Sequence, residues 1–185
     1  EPLGLVHRGG RDYLVNAAGI IRLKPILETT PDDWHDIFTV NAEAVFFLCQ
    51  AIGPRLRAGG AIVNLSSTSA KASGTTEAAI YAASKAAVIS ITRSFAYALA
   101  SRPVRVNAVC PGITDTPMQD DVLVQVARIR GTTYEALAQG RLSAVPLERT
   151  STPDECAGLI RFLLSDEAGY MTGQAINFSG GLVMT

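Results

Sequence analysis

The sequence predicts an α/β protein built on a doubly wound, Rossmann-like parallel sheet, and two observations carry that reading. Short β-rich runs at residues 12–16, 61–66, 104–109 and 174–178 alternate with long helical patterns, the order expected of parallel α/β architecture. The runs Leu14-Val15 and Ala61-Ile62-Val63 are almost continuously apolar, as strands covered by helices on both faces require.

Between the strands, Thr30-Pro31-Asp32-Asp33 reads as a helix start, with Thr30 as N-cap, Pro31 in the first turn and acids beside it. That helix is expected to run to about residue 56, with Trp34, Ile37, Phe38, Val45, Leu48 and Ile52 on its apolar stripe. Asn41 falls on the same stripe and so needs buried partners. A second, alanine-rich helix spans about 79–100, carrying Ile80, Ala83, Ala87, Val88, Ile91, Phe95 and Leu99 on one side. Residues 117–140 are more polar and weakly periodic, a partly helical insertion of the kind that covers sites. Pro153-Asp154-Glu155 starts a last helix, ending near residue 164 before the closing strand and Gly180-Gly181.

The totals bound the function. At 185 residues with 48% apolar content, the chain suits a single domain over residues 1–185 with its own core. Sixteen basic residues against 17 acidic ones leave no broad positive surface, so nucleic acid is not an expected partner. Cys49, Cys110 and Cys156 are odd in number, lie in apolar stretches and lack CxxC spacing, the pattern of reduced core thiols. No apolar run is expected to reach the ~20 residues of a membrane span, and the first residues lack the order of a signal peptide. A cytoplasmic protein with no membrane partner is the expectation. His7 and His35 have neither metal-ligand spacing nor a carboxylate cluster, and no GxSxG elbow is present, which disfavours a metal enzyme and a serine hydrolase.

In an open parallel sheet, ligands bind at the carboxyl ends of the strands. Three such ends carry small or hydroxylated residues: Asn16-Ala17-Ala18-Gly19, Ser66-Ser67-Thr68-Ser69, and Cys110-Pro111-Gly112-Ile113-Thr114-Asp115-Thr116. Each alone is an ordinary turn, but all three should open onto one edge. Tyr81 and Lys85 stand four apart on a helix and therefore share a face. A phenol titrates near ~10, and a neighbouring ammonium lowers that value, so Lys85 is expected to make Tyr81 a usable acid and base near neutrality.

Asn16-Ala17-Ala18-Gly19, Asn41, Asn64-Leu65-Ser66-Ser67, Tyr81-x-x-x-Lys85, the block Arg105 to Gly112 and Thr172-Gly173-Gln174 with Gly180-Gly181 occur in the order of a known signature. Together they resemble the short-chain dehydrogenases/reductases over essentially the whole chain. The resemblance implies NAD or NADP as coenzyme, a small-molecule alcohol or ketone as substrate, and a homo-oligomer, dimer or tetramer. It implies Tyr81 as general acid/base, Ser67 as the hydroxyl orienting the substrate oxygen, and Lys85 as ribose anchor. Asn41 would complete a proton relay through a water. Asn16, Ala17 and Gly19 would pass beneath the adenosine-side ribose, and Pro111, Gly112, Ile113 and Thr116 would hold the nicotinamide end. The coenzyme carries the hydride chemistry and the protein orients it.

Three departures qualify the resemblance. The family's first strand, glycine-rich phosphate turn and second strand do not precede Asp12, which amounts to roughly 70 residues, about two strand–helix units. The strand at Asp12, without the family's first strand beside it, is therefore expected to present a bare edge, so that either the preceding segment exists in the full polypeptide or an abnormal partner covers the edge. Thr68 matches the commonest spacing to Tyr81 better than Ser67, though Ser67 fits the Asn64-Leu65-Ser66-Ser67 block and one extra loop residue is cheap. Ser179 stands where the family often has Asp. A cofactor-free binding or structural protein that keeps the fold is the alternative reading. Gln119, Asp120, Asp121 and Gln125 make the start of the covering segment polar, which favours a small hydroxylated substrate such as a sugar or polyol.

Overall fold

The computed structural model describes residues 5–8, 11–72 and 75–185. Five strands, β1 (Leu5–Arg8), β2 (Arg11–Asn16), β3 (Ala61–Leu65), β4 (Arg105–Pro111) and β5 (Ala175–Phe178), form one sheet in that order. Strands β2 to β5 are parallel, and the four expected strands fall on them. Ahead of them, β1 pairs antiparallel with β2, Leu5 opposite Leu14 and Arg8 opposite Arg11. The edge expected to be bare is thus covered by a strand that is not among the four expected. The side chains of His7 and Arg11 lie outside the described residues.

Why the apolar runs are continuous is visible in β3. Ile62 joins a cluster with Leu14, Val45, Cys49, Val88 and Val106 on one face of the sheet. Its neighbour Val63 joins Val109, Cys156 and Leu163 on the other face. Successive strand residues point to opposite faces, so both neighbours must be apolar when both faces are covered. All three cysteines are buried and unbridged.

The first helix begins as expected: in α1 (Pro31–Phe38), Thr30 and Asp33 form a reciprocal capping box with Pro31 in the first turn. A π-helical turn over Thr39–Glu43 then interrupts the path before α2 (Ala44–Ile52). The whole run, Pro31–Arg55, has a length and hydropathy that also suit a membrane span, contrary to the expectation from the sequence. In the fold Val45, Cys49 and Ile52 are core residues against the sheet. Trp34 is not in the core: it is 45% exposed and stacks on Phe38.

Helix α3 (Ala79–Leu99) buries the expected Val88 and Leu99, with Ile91 and Phe95 packed on the core, but its inward face also takes in residues outside the expected stripe. Ala82, Ser84, Lys85, Val88, Ile89, Thr92, Ala96 and Leu99 face inward, whereas Ala83 is exposed. Periodicity counts only apolar residues, while this face holds polar groups whose partners lie across the core. The covering segment is two helices, α4 (Pro117–Arg130) and α5 (Tyr134–Ser143), separated at Gly131, whose left-handed backbone ends α4. Helix α5 buries no residue, which is why its periodicity is weak. Helix α6 (Pro153–Leu164) is capped by a second reciprocal box, Thr152 with Glu155, and packs on the Val63 face.

Candidate active site

The carboxyl ends of β2, β3 and β4 open into one cavity of about 940 Å³, with α4 and α5 over it. Ala17 and Gly19, Ser66 to Ser69, and Pro111, Gly112, Ile113 and Thr116 all line it, together with Tyr81 and Lys85 from α3. The three turns that are unremarkable singly do converge. Asn16 and Asn41 do not line the cavity.

Tyr81 and Lys85 stand one helical turn apart, the ammonium 5.8 Å from the centre of the ring. The Ser67 hydroxyl lies beside the phenol and opposes the effect of burial on it, and it accepts from the Ser69 amide at 3.1 Å, so the hydroxyl is oriented by its own turn. Thr68 directs its hydroxyl to the Pro111 carbonyl at 3.2 Å instead. Of the two candidates, Ser67 is the one that meets Tyr81. Burial pushes the Tyr81 phenol above its ordinary value and the Ser67 hydroxyl pulls it back. The expectation that Lys85 lowers the phenol is corrected here. Lys85 donates to the Leu65 carbonyl at 2.9 Å, and burial brings its own pKa down to about 8. A desolvated ammonium directed to a strand-end carbonyl leaves Ser67 as the group that opposes burial at Tyr81.

Asn41 sits fully buried in the π-helical turn. Its Oδ1 accepts from the Ile20 amide at 2.8 Å, and its Nδ2 donates to the Ile20 carbonyl at 2.9 Å and the Ser84 hydroxyl at 3.0 Å. Both amide protons are therefore used, and the side chain ties the turn after β2 to α3. A π-helical turn inserts one extra residue per turn and rotates the helix beyond it, which puts a polar residue of an apolar stripe opposite that loop. Asn41→Ala strands these partners and is expected to lower the unfolding free energy by about 3 kcal/mol, measurable by urea denaturation.

Gly19 crosses directly over this pair: a Cβ there would lie 3.2 Å from Lys85 Nζ and 3.5 Å from Asn41 Oδ1. Asn16 lies deeper. Its Nδ2 donates to Asn64 Oδ1 at 2.8 Å, and Asn64 donates to Thr92 at 2.9 Å, a buried chain across β2, β3 and α3. The assignment of Asn16 as a coenzyme contact is accordingly not what its side chain does, because it is held inside the core and supports the turn from below. Gly112 has a steric requirement too, since a Cβ there would come within 3.0 Å of Ser179, the position where the resemblance expects Asp. The rest of that loop is held by Ser151, whose amide donates to the Ile113 carbonyl at 3.0 Å and whose carbonyl accepts from the Asp115 amide at 2.8 Å.

These features suit a nicotinamide coenzyme: two close-approach glycines keep the turns free of side chains, and Lys85 offers an ammonium in the wall. Of the polar residues that suggest a sugar, only Gln119 lines the cavity. Gln125 lines a neighbouring depression, and Asp120 and Asp121 are exposed. The remaining wall under α4 and α5 includes Val122, Val126, Leu137 and Ala144. Three charged residues there carry no signal in the sequence. Arg130 makes a bidentate pair with buried Glu77 at 2.7 and 2.9 Å, and Arg141 bonds Gln119 at 3.0 Å. Only the distance in sequence hides the Glu77–Arg130 pair, and no motif marks Arg141.

Residues 5–183 match the family model described as Enoyl-(Acyl carrier protein) reductase. The chain is 41% identical over 183 residues to the 3-oxoacyl-(acyl-carrier-protein) reductase FabG of Thermotoga maritima, covering 97% of this chain and 70% of that protein. Among solved structures, sorbitol-6-phosphate 2-dehydrogenase of Erwinia amylovora superposes with a TM-score of 0.86 at 31% identity, over 94% of this chain and 69% of that one. An angucycline C-6 ketoreductase with bound NADP superposes with a TM-score of 0.79 at 30% identity, over 92% and 62% respectively.

Proposed function

The chain belongs to the short-chain dehydrogenase/reductase family, and on that premise we propose that the intact protein interconverts a secondary alcohol and a ketone with NAD or NADP. The observation that carries the reading is that Tyr81, Ser67 and Lys85 meet in the wall of one cavity at the carboxyl ends of the strands. A carbonyl oxygen placed against both hydroxyls is polarised by Ser67 and receives its proton from Tyr81; in the reverse direction the alcohol proton returns to Tyr81. The coenzyme, when bound, supplies or accepts the hydride at the carbonyl carbon. Lys85 and the 111–116 loop would hold its nicotinamide and ribose end, and Asn41 would relay protons between Lys85 and solvent while fixing the turn. The NADP-bound ketoreductase neighbour supports a nicotinamide coenzyme, and both the reductase and the dehydrogenase relatives act on such a centre by name.

The test is loss of reduced-coenzyme absorbance when the full-length protein meets a panel of ketones, with NADH and NADPH run separately. Turnover of at least one ketone with one coenzyme is expected. Failure of every ketone with both coenzymes, under conditions where the protein is folded, overturns the reading. Within the panel the hydroxylated ketones carry the sugar or polyol expectation, which now rests on Gln119 alone.

A further inference from the structure

We propose that Arg141 recognises an anion on the substrate, so that the molecule reduced or oxidised carries a carboxylate or phosphate besides its reacting carbon; this rests on the oxidoreductase reading and names its substrate class. Arg141 stands near the end of α5, half-buried, with its side chain in the cavity wall. One N–H of the guanidinium is taken by the neutral Gln119 amide at 3.0 Å. Among the described residues no carboxylate lies within ion-pair distance of it. Arg130 shows the contrast, because Glu77 already neutralises it through two hydrogen bonds.

A guanidinium half-withdrawn from water with only a neutral partner loses part of its solvation, and a ligand anion offsets that loss. Burial and the nearby Arg130 charge both disfavour the protonated form of Arg141, yet a guanidinium stays charged in proteins, so the demand for a counter-ion persists. The neighbouring wall cannot answer it, since Val122, Val126, Leu137 and Ala144 are apolar. Lys85 donates to the Leu65 carbonyl and is the residue assigned to the coenzyme ribose. The unused N–H groups of Arg141 form the planar fork that takes two oxygens of one carboxylate or phosphate.

Two matched pairs test this on the full-length protein: acetoacetate against ethyl acetoacetate, and dihydroxyacetone phosphate against dihydroxyacetone. The expected result is that the anionic member of at least one pair is favoured in kcat/KM by about tenfold or more. Arg141→Gln should lower that value about 10- to 100-fold, leaving the neutral members and the coenzyme KM within about twofold, and Arg141→Lys should restore part of the loss. A preference for neutral members that Arg141→Gln leaves unchanged overturns the proposal. So does a variant whose coenzyme KM rises instead, because the anion would then be a coenzyme phosphate. If no member of either pair turns over, calorimetric titration with acetoacetate and with dihydroxyacetone phosphate decides the anion site separately from the reaction. Binding that Arg141→Gln abolishes supports it, and absence of binding to the unmodified protein overturns it.

Discussion

Tyr81→Phe is expected to reduce turnover by about 10²- to 10⁴-fold while coenzyme affinity and the unfolding midpoint change little. The substitution removes one oxygen. Its neighbour, the Ser67 hydroxyl, also lines the cavity and accepts from Ser69, so no buried donor is stranded. The direction of the Tyr81 shift adds a second readout. A phenol held above its ordinary value is protonated throughout the neutral range, which suits donation to a ketone. Reduction should therefore be level through neutral pH and fall only at high pH, whereas alcohol oxidation, which needs the phenolate, should rise as pH increases. Initial rates in both directions across this range check it. Oxidation already at its maximum near neutrality would mean that something lowers the phenol more than Ser67 opposes burial, and Lys85 would be the first group to suspect.

The sheet is legible in the sequence because its strands are buried on two faces, and Ile62 beside Val63 records that double burial directly. The cavity is legible because small and hydroxylated residues recur just after strands. Less is legible where the deciding partner lies far away. Asn41 stands out on its stripe, but nothing local says that Ile20 and Ser84 are its partners. Asn16 reads as facing a ligand because it ends a strand, and its actual partner, Asn64, comes from the adjacent strand at the same register. Periodicity finds Val88, Ile91, Phe95 and Leu99 on the inward side of α3 but misses Ser84, Lys85 and Thr92, which are buried through hydrogen bonds rather than hydrophobicity. The β1 pairing is not among the expected strands, although Gly9-Gly10 between two β-rich runs is a hairpin signal. For Arg141 no sequence pattern exists to read: its interest lies in what it does not pair with.

Lys85→Met should separate function from stability in opposite directions. The thioether keeps most of the stem and its packing but removes the ammonium that would hold the ribose, so coenzyme KM is expected to rise at least about tenfold and kcat to fall about 10²-fold. Stability should move the other way. Burial brings the Lys85 pKa to about 8, against 10.5 for the free side chain, so the unfolded chain binds this proton more tightly than the folded one. Below pH 8 the folded state carries that penalty in full; between about 8 and 10.5 the unfolded state holds more protons and stability rises with pH; above 10.5 the group is neutral in both states. Losing the hydrogen bond to the Leu65 carbonyl offsets part of the gain. Coenzyme-free Lys85→Met is therefore expected to be more stable than the parent by about 2 kcal/mol at pH 7, with the difference shrinking toward pH 10.5. Comparing the two proteins at each pH cancels the titration of groups they share, such as the Cys49 thiol that burial pushes up to about 11. Urea unfolding at about pH 7 and about pH 10 measures the difference. A Lys85→Met protein that is less stable at neutral pH, or a difference independent of pH, would mean that the ammonium is well solvated or paired in the fold and that burial does not penalise it.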